Sequence, residues 1–556
     1  MVAIIYPDGK PITRGDVQIA RARAMVGGGV TPYDASDQAS PEMAGWMPWL
    51  GSPDTETTPY RDISVSRIRD LVRNDGWASG TVTRTMDAVI GADFRMASIP
   101  DYRALSLRFG SKFDAQWAKE FSDAYEAGWR AWAYDPSRWC DIERMRSFPQ
   151  ISRLAFRHYL VEGETIAAIP FRPDRIKPGR ARYATCVHLI DPDRMCNPGF
   201  NQMDTLHMRG GVEIDDDGAA VAYHVTRAHR NDYFAAGQTV TWDRIPRETE
   251  WGRPMFVHHF DADRAGQHRP IGGIFTPVLA RMRMLFQYDR VELQAAIVNA
   301  IFGAYIESPF DNEDVQASLE EDEGRDEISQ YQKLRNDFHR DRRLHAGNVR
   351  LATLFPGEKI NTISSTRPAS AFDAFEGAML RNVSTAVGLP YETVSGNYRG
   401  STYSSARQSM LEAWKTLSRR RVDFGSSFCT PIASALLEEM FDNGEMPLPA
   451  GAPEFMDARA EYSRCRWIGP GRGYVDITKE VDGARGKMSA GLSTLEKEAA
   501  DGDGLDWIEN LDQLKLEKDE IEARGLNLVF EATGGQQQQT SLDTLTDDEK
   551  QGQTET

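Results

Sequence analysis

Apolar side chains recur at helical spacing along most of this chain, with one long interval of alternation in between. Within 112–133, Phe113, Trp117, Phe121, Tyr125 and Trp129 return every four residues, one face of an amphipathic helix. Upstream, Ile68, Leu71 and Val72 mark a helix that a turn at Asn74–Gly76 separates from a second one ending near Gly91. The stretch RSFPQISRLAFRHYLVEGETIAAIPFR reads as helix, then a turn at Glu162–Gly163, then strand. From 181 to 261 the texture becomes short alternating runs between turn residues, which predicts β-strands and hairpins. A broad stripe then runs through Phe275, Val278, Leu279, Met282, Leu285, Phe286, Leu293, Ala296, Ile297 and Ile301. Over 271–302 it predicts a rod of roughly 48 Å, with Pro277 tolerated near its start.

Two further helices flank a loop. The first opens at Ser370 and Asp373, a capping-box-like pair, and carries Phe372, Phe375, Met379, Val383 and Val387 before Gly388 and Pro390 stop it. The second starts near Ser404 with Met410, Ala413, Trp414 and Leu417 on one face, and Pro431 is expected to kink or end it. Between them stands VGLPYETVSGNYRGSTYSSARQSM, bounded by glycines and rich in hydroxyls. A charged helical region follows over 476–524. These elements predict an α+β chain, mostly α-helical, with two to four domains in 556 residues.

Charge narrows the function classes. With 83 acidic against 65 basic side chains the formal charge is −18, which opposes a surface that grips nucleic acid everywhere. It leaves room for a channel whose repulsive wall nucleic acid passes without sticking. The five cysteines are scattered without a CxxC pair, so reduced thiols are expected rather than a disulfide framework or zinc site. The N-terminus has no signal-peptide pattern, and no run of about eighteen uncharged apolar residues predicts a membrane span. Residues 1–60 read as an extended arm and 531–556 as a polar, disordered tail.

Catalytic patterns are sparse. His258, His259, Asp261, Asp263 and His268 fall within eleven residues and suggest a metal cluster, but strand alternation sends His258 and His259 to opposite faces. GPGRGYVD matches neither a dinucleotide nor a Walker loop, and no GxSxG elbow supports the Ser-rich run at 401–405. Glu162 with Glu164, and Asp191 with Asp193, suit turn and capping chemistry. DDDG at 215–218 lacks the calcium-loop register. The acidic run 311–327 reads as a solvated face or disordered tip, with a docking surface as the alternative. No catalytic residue, metal or cofactor is expected. The competing reading is a metal-dependent or nucleophilic hydrolase using His258–His268 or the Ser-rich loop.

Five long segments carry a resemblance. They are RIRDLVRNDGWASGTVTRTMDAVIGADFRM, YLVEGETIAAI, VHLIDPDRM, the run from VHHFDADRAGQHRPIGGIFTPVL to NAIFGAYIES, and LFPGEKINTISSTRPASAFDAFEGAMLRNVSTAVGLPYETVSGNYRGSTYSSAR. Over about 45–530 the chain resembles the lambda-type portal proteins of tailed bacteriophages. The resemblance implies a ring of twelve copies at one capsid vertex, with no catalysis of its own. Double-stranded DNA enters it under the terminase large subunit and leaves into the tail, without sequence preference. A head–tail adaptor and the major capsid protein are the other implied partners. The virion is the implied location, after assembly in the host cytoplasm, with no membrane involved.

Mapped onto that family's plan, 61–270 is the wing, 271–302 the first stem helix, 303–365 the clip and 366–387 the second stem helix. The tunnel loop is 388–403, the kinked long helix with wing return 404–475, and the crown 476–530. The expected DNA-facing residues are Asn397, Tyr398, Arg399 and Ser401. The expected hinges are Gly388, Pro390, Gly396, Gly400 and Pro431. Contacts to terminase and adaptor are expected in the clip.

Overall fold

The computed structural model describes residues 45–199, 203–301, 369–473 and 476–525, with Ser36, Met43 and short stretches inside 305–361. Most of the expected arm, the acidic run 311–327, the tail 531–556 and most of the expected clip lie outside the described residues.

Local capping sets the first helices. Ser52 accepts from Thr55 N to open α1 (Pro53–Asn74), with Pro53 in the first turn and Asp54 and Glu56 near the positive helix end. This helix begins inside the stretch read as an arm. Asp75 closes α1 and opens α2 (Gly76–Val89), its carboxylate accepting from Ala78 N at 2.8 Å. Strand β1 (Arg95–Ser98) and α3 (Tyr102–Phe109) follow. Asp114 then caps α4 (Ala115–Ala133), whose four-residue aromatic row is buried as its spacing predicts. Its polar atoms are satisfied too: Tyr125 Oη donates to Ala433 O and Trp132 Nε1 to Thr185 O, both at 2.8 Å.

α5 (Phe148–Glu162) ends at Gly163, which stands at φ 86° where a Cβ would strike the Gly272 carbonyl oxygen at 2.2 Å. The chain enters β2 (Glu164–Ala168), centre of a three-stranded antiparallel sheet ordered β3-β2-β8, with β3 His188–Ile190 and β8 Phe256–Phe260. A four-stranded antiparallel sheet runs β4 (Met208–Arg209), β5 (Val212–Ile214), β6 (Ala220–Thr226) and β7 (Trp242–Pro246). Ile166, Ile190, Val212, Tyr223 and Phe256 form a small core where these sheets meet, and the main core lies among the helices.

The expected long rod is shorter. Pro277 falls in a 3₁₀ turn (Thr276–Val278) and α6 occupies Leu279–Ile301. At 1.5 Å per residue that is about 35 Å. Val278, Met282 and Leu285 are buried, but Leu293 is 63% exposed, as are Met284 and Val291 in large part. Among the stripe's described side chains, those at its start are the ones buried against the body of the chain. Within 303–365 the described residues form short strands β9 (Tyr305–Glu307), β10 (Leu344–Ala346), β11 (Val349–Leu351) and β12 (Lys359–Asn361), paired β9 with β12 and β10 with β11. Helix α7 (Ala369–Val387) already contains Ser370, so that residue is not its cap. Tyr288 of α6 stacks on Phe372 of α7 at 5.6 Å and meets Phe375 at 4.9 Å.

After the short helix α8 (Tyr391–Ser395), α9 (Tyr403–Phe424) passes through one π turn (Gly425–Cys429) into α10 (Thr430–Asp442). Pro431 therefore does not end the helix: it sits in the first turn of α10, directly after the widened turn. Thr430 N reaches back five residues to Gly425 O, and the widened turn precedes the proline, which lacks an N–H. Beyond α11 (Arg459–Tyr462), β13 (Cys465–Ile468) pairs antiparallel with the distant β1. Helices α12 (Ile477–Ser489), α13 (Leu495–Gly502) and α14 (Trp507–Ala523) close the described part.

Candidate nucleic-acid interface

The loop between α7 and α9 is built in two halves of different character. Its base is fixed. Gly388 N donates to Ser384 O at 2.9 Å, and its φ of 79° ends α7 where a Cβ would press on Thr416 at 2.9 Å. Pro390 stands at the entry of α8, Leu389 and Val394 are buried, and Gly396 closes α8 at φ 66°. Arg84, on α2, donates its guanidinium to the Thr393 and Val394 carbonyls, the latter at 3.0 Å. A cation on the free carbonyls at a helix end is favourable in charge as well as in hydrogen bonding.

The tip, 396–400, is different. Asn397 Oδ1 accepts from Arg399 N at 3.0 Å, a turn closed by its own side chain, and Gly400 takes φ 80°. Tyr398 is 63% exposed. Arg399 is exposed, and its side chain forms no ion pair with any described residue. Ser401 Oγ donates to Glu392 Oε1 at 3.4 Å, and Thr402 with Ser405 forms a reciprocal cap that starts α9. All four expected DNA-facing residues thus share one turn, but Asn397 and Ser401 use their polar atoms to hold it. Tyr398 and Arg399 present theirs outward.

Sequence reasoning missed α8 and Arg84. Proline before and glycine after five residues was a usable signal for the helix. Nothing local pointed to Arg84, 309 residues from Thr393.

The histidine-rich run does not assemble into a site. His258 Nε2 meets Glu164 Oε2 at 2.8 Å, and His259 Nδ1 meets Ser427 Oγ at 2.6 Å on the opposite face. His268 Nδ1 meets Asp54 Oδ2 at 2.8 Å, while Asp261 accepts from Tyr159 Oη at 2.6 Å. Among the described residues no group of three or more His, Cys, Asp or Glu side chains is placed to hold a metal. Glu164 instead anchors a buried ionic network. It is fully buried, 2.7 Å from the Arg61 guanidinium and paired with Arg269. Burial opposes its ionisation, but Arg269 and Arg61, with the His258 hydrogen bond, outweigh that and hold it well below the ordinary carboxylate range. No described helix is long and apolar enough to cross a membrane.

The loop is anchored at its base and exposed at its tip, and the histidines of the 258–268 run are held by Glu164, Ser427 and Asp54. The chain is a member of the lambda family of phage portal proteins, whose family model matches residues 39–421. Among curated relatives it is 32% identical over 493 residues to the portal protein of Escherichia phage N15, covering 87% of this chain and 89% of that one. It is 30% identical over 489 residues to portal protein B of Escherichia phage lambda, with the same coverage. Solved structures that match include a chain of the virion of a native gene transfer agent particle, at 13% identity and TM-score 0.39 over 78% of this chain and 92% of that one. Another is in the neck of the empty particle, at 12% identity and TM-score 0.42 over 82% and 96%. Membership carries the general role of a portal, a passage for DNA.

Proposed function

We propose that this chain is one of twelve subunits of a closed ring at a single capsid vertex. Double-stranded DNA is driven inward through it by the terminase during packaging, and it later leaves through it into the tail. On this reading 61–270 forms the wing, α6 and α7 the two stem helices, 303–365 the clip and 388–403 the tunnel loop. The helix through the π turn is the kinked long helix, and α12–α14 form the crown. The clip contacts the terminase large subunit and the head–tail adaptor, and the major capsid protein holds the ring in the virion.

One observation carries the reading: the exposed 396–400 tip, with Tyr398 and Arg399 free on a base fixed by Arg84. Repeated around an axis, it makes a collar of aromatic and cationic groups inside an acidic assembly. Transient phosphate contacts need no sequence information, and the surrounding negative charge of −18 per copy limits adhesion. The exposed Met284, Val291 and Leu293 on α6 support closure, as a flank that a neighbouring copy covers.

Native mass spectrometry and negative-stain imaging test the ring: about a dozen copies around a hole supports it, and a monomer contradicts it. Deleting 396–400 is expected to leave rings intact and to impair packaging or retention of DNA. Loss of assembly instead makes the loop an oligomerisation element. Charge reversal within 311–327 is expected to weaken terminase docking, and unchanged docking removes that segment from the contact.

A further inference from the structure

In a chain this acidic, one surface has the opposite sign. The β2–β3 connection, 171–182, carries Arg172, Arg175, Lys177, Arg180 and Arg182 against the single acid Asp174. Its shape is pinned by a 3₁₀ turn at Pro173–Arg175, by bridges Phe171 to Thr185 and Ile176 to Ala181, and by Arg180 N donating to Lys177 O at 2.9 Å. Lys177 and Arg180 are exposed, and their side chains pair with no described residue. Arg172 and Arg182 are only part-neutralised, by exposed pairs with Asp174 and Glu445.

A second loop extends the patch. Arg175 donates to the carbonyls of Asp141 and Ile142, at 3.2 and 2.7 Å, which places 171–182 beside 137–146. There Arg144 lies 3.8 Å over the ring of Trp139. Arg138 and Arg144 both take left-handed backbone, φ 58° and 56°, rare for residues with a Cβ. The buried Asp141 holds that conformation by accepting from the backbone N–H groups of Glu143, Met145 and Arg146. The loop is thus preorganised, and its Trp139 ring carries Arg144 on one side and is approached by Arg175 of the 171–182 connection at 5.9 Å.

We propose that this face of the wing binds the phosphate backbone of double-stranded DNA at a place separate from the 396–400 loop. Arginine outnumbers lysine here, and guanidinium forks match phosphate oxygens in geometry as well as charge. An extended, exposed cationic strip suits a polymer of phosphates, read without regard to sequence. The proposal rests on the portal reading only for the presence of DNA at the molecule.

The test uses the full-length chain in its assembled form and a fluorescent blunt duplex of about 30 base pairs, titrated across salt. Substituting Arg144→Asn, Lys177→Ser and Arg180→Ser together is expected to weaken binding about tenfold at low salt. It is also expected to flatten the plot of log K against log salt by about two to three units. Lys119→Ser, which removes an exposed cation of α4 outside both places, is expected to leave that salt slope unchanged. Unchanged affinity and slope in intact triple-variant assemblies overturn the proposal. Loss of assembly with unchanged duplex affinity also overturns it, because the patch is then a contact between copies. A chain that stays monomeric yet loses duplex binding on the triple substitution supports the proposal while removing the portal reading.

Discussion

The surroundings of Glu164 and the tip at 396–400 are opposite uses of charge in one subunit. Around Glu164 buried groups pair with one another: Arg61, Arg269 and His258 converge on it, and Arg69 beside them pairs with Glu162 at 2.7 Å and Asp191 at 3.2 Å. Arg61 and Arg269 are almost wholly buried, so each depends on that carboxylate. At the tip, Arg399 has no such partner among the described residues, and the turn is held by Asn397, Ser401 and backbone instead. Buried charge locks the body; exposed charge remains available for an outside partner. The loop works as a part distinct from the body only if its own shape does not depend on Arg399.

The largest effect expected from breaking this contrast lies in the wing. Glu164→Gln leaves two buried guanidiniums short of a counter-charge, and a loss of about 3–5 kcal/mol is expected in urea unfolding. The pH dependence has a definite sign. A carboxylate held below its ordinary range contributes stability that is present above its unfolded value of 4.5 and is lost as pH falls toward the folded one. The acid limb of the wild-type stability curve should therefore flatten in Glu164→Gln.

Glu126 gives the opposite sign at a smaller scale. Its carboxylate accepts from Ser98 N at 2.7 Å and faces Asp506, Arg130 and Glu509 where α4 meets the C-terminal helices. Burial raises it from 4.5 to about 7. The folded state then holds the proton more tightly, so stability falls as pH rises from about 4.5 to about 7 and levels off above. Glu126→Gln keeps the acceptor and removes that loss. Protection of the bond after Trp507 from chymotrypsin at pH 8 is expected to rise on the order of tenfold, with little change at pH 5.

Arg84→Ala tests the base of the loop. About 1 kcal/mol of local stability is expected to go, read as faster hydrogen exchange at the Gly396 amide, with global unfolding little changed. The smallest stability effect belongs to Arg399→Ala, expected within about 0.5 kcal/mol of wild type, together with altered DNA retention. A large stability loss there breaks the contrast between body and tip.

Periodicity was a good guide wherever burial is local. The aromatic row of α4 and the opposed His258 and His259 follow from spacing alone. It failed where the partner is distant. Arg269 finds Glu164 across 105 residues, and β1 finds β13 across the chain, through pairings that no window of sequence contains. The π turn at Gly425–Cys429 was hidden because a proline in a helical pattern suggests a break, while a single wider turn also accommodates it. Leu293 misled for another reason: its stripe is apolar, but its own chain does not cover it. At the loop, the glycine-bounded tip and its outward Tyr398 and Arg399 were legible from composition. The α8 base was legible only through its flanking proline and glycine, and the Arg84 tether was not.

The most direct test of the account is a cryo-electron microscopy reconstruction of the purified assembly, reading the distance of Tyr398 and Arg399 from the symmetry axis. The account predicts a closed ring of about twelve copies in which these two side chains are among the groups nearest the axis. A ring that carries them on its outer surface, or a particle with no central passage, contradicts it.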